Sequence, residues 1–187
     1  PKNIVDLSIH TGVGAGLLLD GKIYTGSSGR AGEFGHTIIY PNGKKCACGR
    51  RGCLEQYLSL PALLSDYKSR FDHFDIDYPQ FCDNLRAQKK EAIDTVDAYL
   101  FHLALCINNI VQTYNPELII ITDSLLSDFP WLLEKLHSLC HYPSDNFDIR
   151  LSKLGRSSSL YGGIHQCSLF FLGIETLSFS GSADIPS

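Results

Sequence analysis

The apolar positions of this chain change period as it proceeds. Asn3 to Ile9 alternates and is rich in β-formers, Gly14 to Asp20 is apolar, and Lys22 to Thr25 resumes an extended pattern after Asp20-Gly21. Asp-Gly supplies the positive backbone dihedrals of a tight two-residue turn, so these segments predict a β-hairpin. A Gly- and Ser-rich loop from Gly26 to Gly35 leads into a strand-like run at His36 to Tyr40. Pro41 to Cys53 is polar, glycine-rich and carries three cysteines. It cannot build a hydrophobic core and needs another organiser.

From Leu54 the period changes, with Leu54, Tyr57, Leu58, Leu63, Leu64 and Tyr67 recurring at helical spacing. Ala92 to Tyr114 predicts a long helix whose Val96, Leu100, Leu103, Ala104, Ile107, Ile110 and Val111 share one broad face, and Asn115-Pro116 stops it. The order then runs strand (Leu118 to Thr122), helix (Pro130 to Cys140), strand (Phe147 to Leu151) and helix (Leu160 to Leu172). Strands that alternate with returning helices predict an α/β fold, a mixed sheet covered by helices. Residues 178–187 are small and polar and predict a disordered tail, leaving 1–177 as the folded body.

The bulk numbers narrow the function. With 187 residues, 44% of them hydrophobic, the chain can bury one substantial core or two small lobes without disulfides. Sixteen Lys and Arg against 20 Asp and Glu give a net charge of -4, which is no footprint for a nucleic-acid backbone. Seven cysteines, an odd number, with no signal segment ahead of them, point to a reducing cytoplasm rather than a secreted disulfide scaffold. No apolar run approaches the roughly 20 residues that span a bilayer. The chain has no methionine and opens at Pro1 inside a strand pattern, so it is expected to be a piece of a longer protein.

His36, Cys46, Cys48 and Cys53 follow the spacing H-x9-C-x-C-x4-C, with Gly49 and Gly52 flanking Arg50 and Arg51. Three thiolates and an imidazole suit tetrahedral zinc, and four protein ligands leave no open position, which predicts a structural metal. Unrelated thiols, or a disulfide from Cys53 to Cys46 or Cys48, are the competing possibility. Cys82, Cys106, Cys140 and Cys167 are scattered and mostly lie in apolar helical surroundings, as core fillers do.

Gly26-Ser-Ser-Gly-Arg-Ala-Gly-Glu33-Phe-Gly-His36, followed by Cys46-Ala-Cys48-Gly-Arg-Arg-Gly-Cys53-Leu-Glu55, resembles the signature of the ROK family of repressors and sugar kinases. Gly12-Val13-Gly14-Ala15-Gly16 before it and Asn115-Pro116-Glu117-Leu118 after it extend the likeness to about Leu172. The resemblance implies an actin-like, ribonuclease H-like fold, of which this chain is the C-terminal portion. It also implies that Glu33, His36 and Glu55 hold a sugar. A carboxylate accepts hydrogen bonds from two neighbouring hydroxyls, and a histidine bound to metal through one ring nitrogen presents the other as an oriented donor. Read without the resemblance, Glu33 is a loop residue satisfying backbone N–H groups and Glu55 a first-turn glutamate stabilising a helix N-terminus.

In family kinases the loop at His10-Thr11-Gly12-Val13-Gly14 reads Gly-Thr-Gly, and a second glycine-rich turn stands where this chain has Thr122-Asp123-Ser124-Leu125. A side chain at His10 and a carboxylate at Asp123 both oppose nucleotide phosphate. These departures resemble the regulator branch, the xylose or N-acetylglucosamine repressor type, in which an upstream winged-helix segment binds DNA. The resemblance thus implies a sugar-sensing and oligomerising body, a homodimer or homotetramer, answering to a sugar or sugar phosphate. The alternative is an ATP-dependent sugar kinase whose first lobe lies upstream. A zinc-ribbon nucleic-acid module is a third possibility, favoured by Lys44, Lys45, Arg50 and Arg51 and opposed by the acidic balance of the chain.

Overall fold

The computed structural model describes residues 1–71, 75–140 and 147–157, together with Gly162. It forms two compact units, Pro1–Ser152 and Lys153–Ser187. The predicted helix at Leu160 to Leu172 and the tail lie outside the described residues. In the second unit a 3-10 turn spans Gly155–Ser157.

The first unit is built on a five-stranded sheet of order β3-β2-β1-β4-β5. Its strands are β1 (Ile4–Ile9), β2 (Val13–Leu19), β3 (Lys22–Ile23), β4 (Leu118–Asp123) and β5 (Asp148–Leu151). β2 is antiparallel to both β1 and β3, whereas β4 runs parallel to β1 and to β5, so the sheet is mixed as expected. The hairpin turn falls at the expected dipeptide, with Asp20 and Gly21 at φ 51° and 76°. β3 ends earlier than the pattern to Thr25 suggested.

The helices are α1 (Glu55–Leu58), α2 (Leu60–Phe71), α3 (Tyr78–Arg86), α4 (Lys90–Tyr114), α5 (Ser124–Asp128) and α6 (Leu132–Leu139). α4 stops where Asn115 takes a left-handed conformation, its N–H donating to the Val111 carbonyl at 2.9 Å, and Pro116 prevents continuation. Leu100, Leu103, Ile107 and Ile110 of α4 are buried in one continuous core with Val5, Leu7, Ile9, Ile119 and Ile121 of the sheet. α3 and α5 do not stand out in the hydrophobic pattern: α5 has five residues, and α3 buries only Phe81, Cys82 and Leu85 among polar neighbours. A capping box announces α3 all the same: Asp77 accepts from the Gln80 backbone while the Gln80 side chain accepts from the Asp77 backbone.

The run at His36 to Tyr40 is not a strand. Phe34–His36 forms a 3-10 turn, closed by the Thr37 hydroxyl donating to the Phe34 carbonyl at 2.7 Å, and only an isolated bridge from Ile38 to Cys53 follows. The glycine-rich segment opposite offers too short an extended edge for a ladder to form.

At the sheet end that carries the Asp20-Gly21 turn, the Glu117 carboxylate accepts from the backbone N–H groups of Lys2 and Asn3 at 2.6 and 2.8 Å. These bonds hold its pKa below the ordinary value. The Asn-Pro-Glu sequence therefore ends α4 and fixes the register of β4 on β1.

Leu103→Ala should lower the unfolding free energy by about 2–5 kcal/mol, since Leu103 is fully buried. Phe101→Ala, on the exposed side of the same helix, should change it by no more than about 0.5 kcal/mol in the same urea titration.

Candidate metal centre and its surroundings

The loop that carries the cysteines is ordered by close backbone approach. Ala15 N–H donates to the Gly32 carbonyl at 2.8 Å, and a Cβ on Gly32, whose φ is 88°, would lie 1.8 Å from the Ala15 oxygen. Gly35 is likewise pressed onto Val13, and Gly52 onto Tyr40. Backbone bonds from Gly52 to Lys44 and from Cys46 to Arg50, both N–H to carbonyl, then fold residues 44–52 into a tight double turn.

This folding brings His36, Cys46, Cys48 and Cys53 together, one ligand atom from each lying within 4.8 Å of the others. His36 Nδ1 is 3.7 Å from Cys46 Sγ, and Cys48 Sγ is 3.6 Å from Cys53 Sγ. A tetrahedron with bonds of about 2.0–2.3 Å has ligand-to-ligand edges of about 3.5–3.8 Å, so the donor set and its spacing fit a metal such as zinc. All six described cysteines are free thiols, so neither disulfide considered above is formed. Cys82, Cys106 and Cys140 are buried, as expected of core fillers.

The thiols differ electrostatically. Arg50 Nε donates to Cys48 Sγ at 3.5 Å and draws its pKa down to about 6, whereas burial pushes the Cys53 thiol up to about 12. A dication at the centre would favour the ionised form of every thiol around it.

His36 stands between this cluster and Glu33. Its Nδ1 faces the sulfurs, and its Nε2 lies 3.8 Å from Glu33 Oε2. Glu33 is exposed and borders a recess walled by Arg30, Phe34 and Tyr114. Glu55, the first residue of α1, accepts from Val13 N–H at 3.3 Å and borders another recess, shared with Thr11, Lys44, Gln56 and Ser59. A Cβ at Gly12 would come within 2.8 Å of Glu55 Oε2, so the glycine is what lets the carboxylate reach the β1–β2 turn.

Asp123 was expected to present negative charge to the position of a nucleotide phosphate. It does not: its side chain is buried, accepting from the Tyr99 hydroxyl at 2.5 Å and from Leu126 N–H at 2.8 Å as the N-cap of α5. Burial raises its pKa to about 6. The basic loop residues make local contacts too, Arg50 to Cys48 and Arg51 Nε to the Asn42 carbonyl.

Sequence reasoning missed an aromatic cluster formed by Tyr40, Tyr57, Phe101 and His102, with ring centroids 4.8 to 5.7 Å apart. Its members come from the cysteine loop, α1 and α4, and no spacing in the sequence connects them.

With this geometry in place, the chain belongs to the ROK family, whose pattern it matches over residues 1–165. It is 32% identical over 165 residues to a xylose repressor of Bacillus spizizenii, covering 86% of this chain and 42% of the repressor. It is also 32% identical over 143 residues to an N-acetyl-D-glucosamine kinase of Escherichia coli, covering 71% of this chain and 46% of the kinase. The chain thus spans less than half the length of these relatives. Among solved structures, a ROK family glucokinase from Streptomyces griseus in complex with glucose and AMPPNP superposes with a TM-score of 0.78 at 21% identity, over 86% of this chain and 59% of that one. A ROK family transcriptional regulator homologous to the MLC protein of E. coli gives 0.68 at 28% identity, over 81% and 42%. The fold is the actin-like one of ROK sugar kinases. Among the described residues no helix is long and apolar enough to cross a membrane.

The raised pKa of Asp123 has a consequence for stability. A carboxyl titrating near 6 when folded, against 3.8 ordinarily, binds its proton more tightly in the folded chain. Its contribution is complete at or below about pH 4 and is lost as pH rises to about 6, a difference of roughly 3 kcal/mol. Urea midpoints measured at both ends of that window should fall more for the wild type than for Asp123→Asn, which keeps the cap but does not titrate.

Proposed function

We propose that this chain is the sugar-sensing and oligomerising body of a ROK transcription regulator. One zinc ion is held by His36, Cys46, Cys48 and Cys53, and a sugar or sugar phosphate by Glu33, His36 and Glu55. Zinc, when bound, fixes the tautomer of His36. The protein's own part is then to aim Nε2–H at a hydroxyl that Glu33 also reaches, while Glu55, seated on the β1–β2 turn, takes others. DNA binding belongs to a segment upstream, and the body pairs as a homodimer or homotetramer. The effector changes DNA affinity only by the difference in its affinity for the two conformations of the protein.

The observation that carries the regulator over the kinase is the capping of α5. In a nucleotide site the turn after β4 must offer its N–H groups to phosphate. Here the Asp123 carboxylate already occupies the Leu126 N–H. The similarity to xylose repressors supports the same reading, and that to N-acetyl-D-glucosamine kinases supports the alternative, an ATP-dependent sugar kinase.

The test uses the full-length protein. Operator DNA should be bound and then released by a xylose- or hexose-class effector, with no transfer of phosphate from ATP to that sugar. Sugar phosphorylation at a rate typical of kinases would overturn the regulator reading. Glu33→Ala and Glu55→Ala should each weaken effector binding roughly 10- to 100-fold, the loss of charge-assisted hydrogen bonds, and leave the metal in place. Cys53→Ser should abolish stoichiometric zinc in elemental analysis, whereas Cys106→Ser should retain it.

A further inference from the structure

A cavity of about 420 Å³ opens between the cysteine loop, α1, α2 and α4. It shares no lining residue with the recess that Glu33 borders, adjoins that of Glu55 through Lys44, which lines both, and has no role in the sugar reading. Four rings wall it. Tyr40 and Tyr57 meet edge to face at 4.8 Å, Tyr57 and His102 are tilted at 5.3 Å, and Phe101 adjoins His102 at 5.7 Å. Phe101 is 52% exposed and Tyr40 37%, so ring surface at the mouth is left open to a ligand.

The polar groups of the cavity are unequal. Thr95 donates its hydroxyl to the Glu91 carbonyl and Tyr99 donates to Asp123, so both are engaged within the fold. Asp66, the one carboxylate in the lining, is paired with Arg70 Nε at 2.9 Å. Lys44 Nζ lies 4.9 Å from the centre of the Tyr57 ring and, among the described residues, has no ion pair. Burial holds His102 below its ordinary pKa, so it adds ring surface rather than charge. The balance is one unmatched cation beside a cluster of four rings, with the buried Tyr99 behind them.

We propose that this cavity binds a small aromatic monocarboxylate, its ring packed against Phe101, Tyr40 and Tyr57 and its carboxylate on Lys44. A neutral sugar fits less well. Sugar hydroxyls are read by free carboxylates and amides, and the single carboxylate here is already committed to a guanidinium. A ring in this position gains edge-to-face contacts, and a carboxylate on an ammonium gains a charge-assisted bond. The proposal does not depend on the sugar reading.

The experiment titrates the full-length protein calorimetrically with 4-hydroxybenzoate and with its neutral methyl ester. The acid should bind saturably with a dissociation constant on the order of 1 mM or below, as expected for so small a ligand, and the ester about tenfold more weakly. Lys44→Gln and Phe101→Ala should each weaken the acid about tenfold, and Glu33→Ala, in a recess that shares no lining residue with this cavity, should leave it unchanged. Metal content is checked for Lys44→Gln, while Phe101→Ala lies on α4, away from the loop, and keeps the test independent of it. Absence of saturable binding, undiminished binding in either cavity variant, equal binding of acid and ester, loss of binding in Glu33→Ala, or displacement of the acid by methyl glucoside would each overturn the proposal.

Discussion

The contact between Gly32 and Ala15 decides where every other part of the candidate site falls. Two stretches of main chain meet there with no room for a β-carbon, and the bond from Ala15 N–H to the Gly32 carbonyl pins the glycine-rich loop to β2. Glu33 follows immediately, then the turn that aims His36, then the double turn that gathers the cysteines. None of these residues belongs to a helix or strand of useful length. Their positions derive from backbone hydrogen bonds and steric closeness, which is a rigid way to place side chains on a loop.

α1 extends the same logic. Isolated helices shorter than about 12 residues are marginal in water, and α1 has four. It persists because Leu54 N–H donates to the Thr37 carbonyl on one side and Leu60 N–H to the His10 carbonyl on the other. Glu55 and Tyr57 thus sit on a short element tied both to the cysteine loop and to the β1–β2 turn. The carboxylate used for sugar in our proposal and the ring that walls the aromatic cavity share one support.

Much of this was legible in the chain. The hairpin at Asp20-Gly21, the stop at Asn115-Pro116, the mixed sheet and the gathering of His36 with three cysteines all follow from local chemistry: turn residues, helix stops and ligand spacing. The misreadings have physical causes as well. His36 to Tyr40 is apolar enough for a strand, yet a strand needs a partner, and its partner is a glycine turn. Asp123 reads as an exposed charge in sequence because only tertiary structure reveals that Tyr99 and the start of α5 enclose it. Tyr40, Tyr57 and Phe101 carry no common spacing, so their cluster could be found only in three dimensions.

β1 lies at the middle of the sheet, between a neighbour that follows it at once and another that follows much later. The bond from Asn3 N–H to Glu117 spans 114 residues. At synthesis rates of about 5–20 residues per second, one edge of β1 stays without its partner for on the order of ten seconds after it is made. An unpaired edge flanked by Val5, Leu7 and Ile9 is a template for pairing with other chains. The nascent hairpin therefore waits on the ribosome with one strand edge open, and slow translation between α2 and β4 lengthens that exposure before any property of the finished fold comes into play.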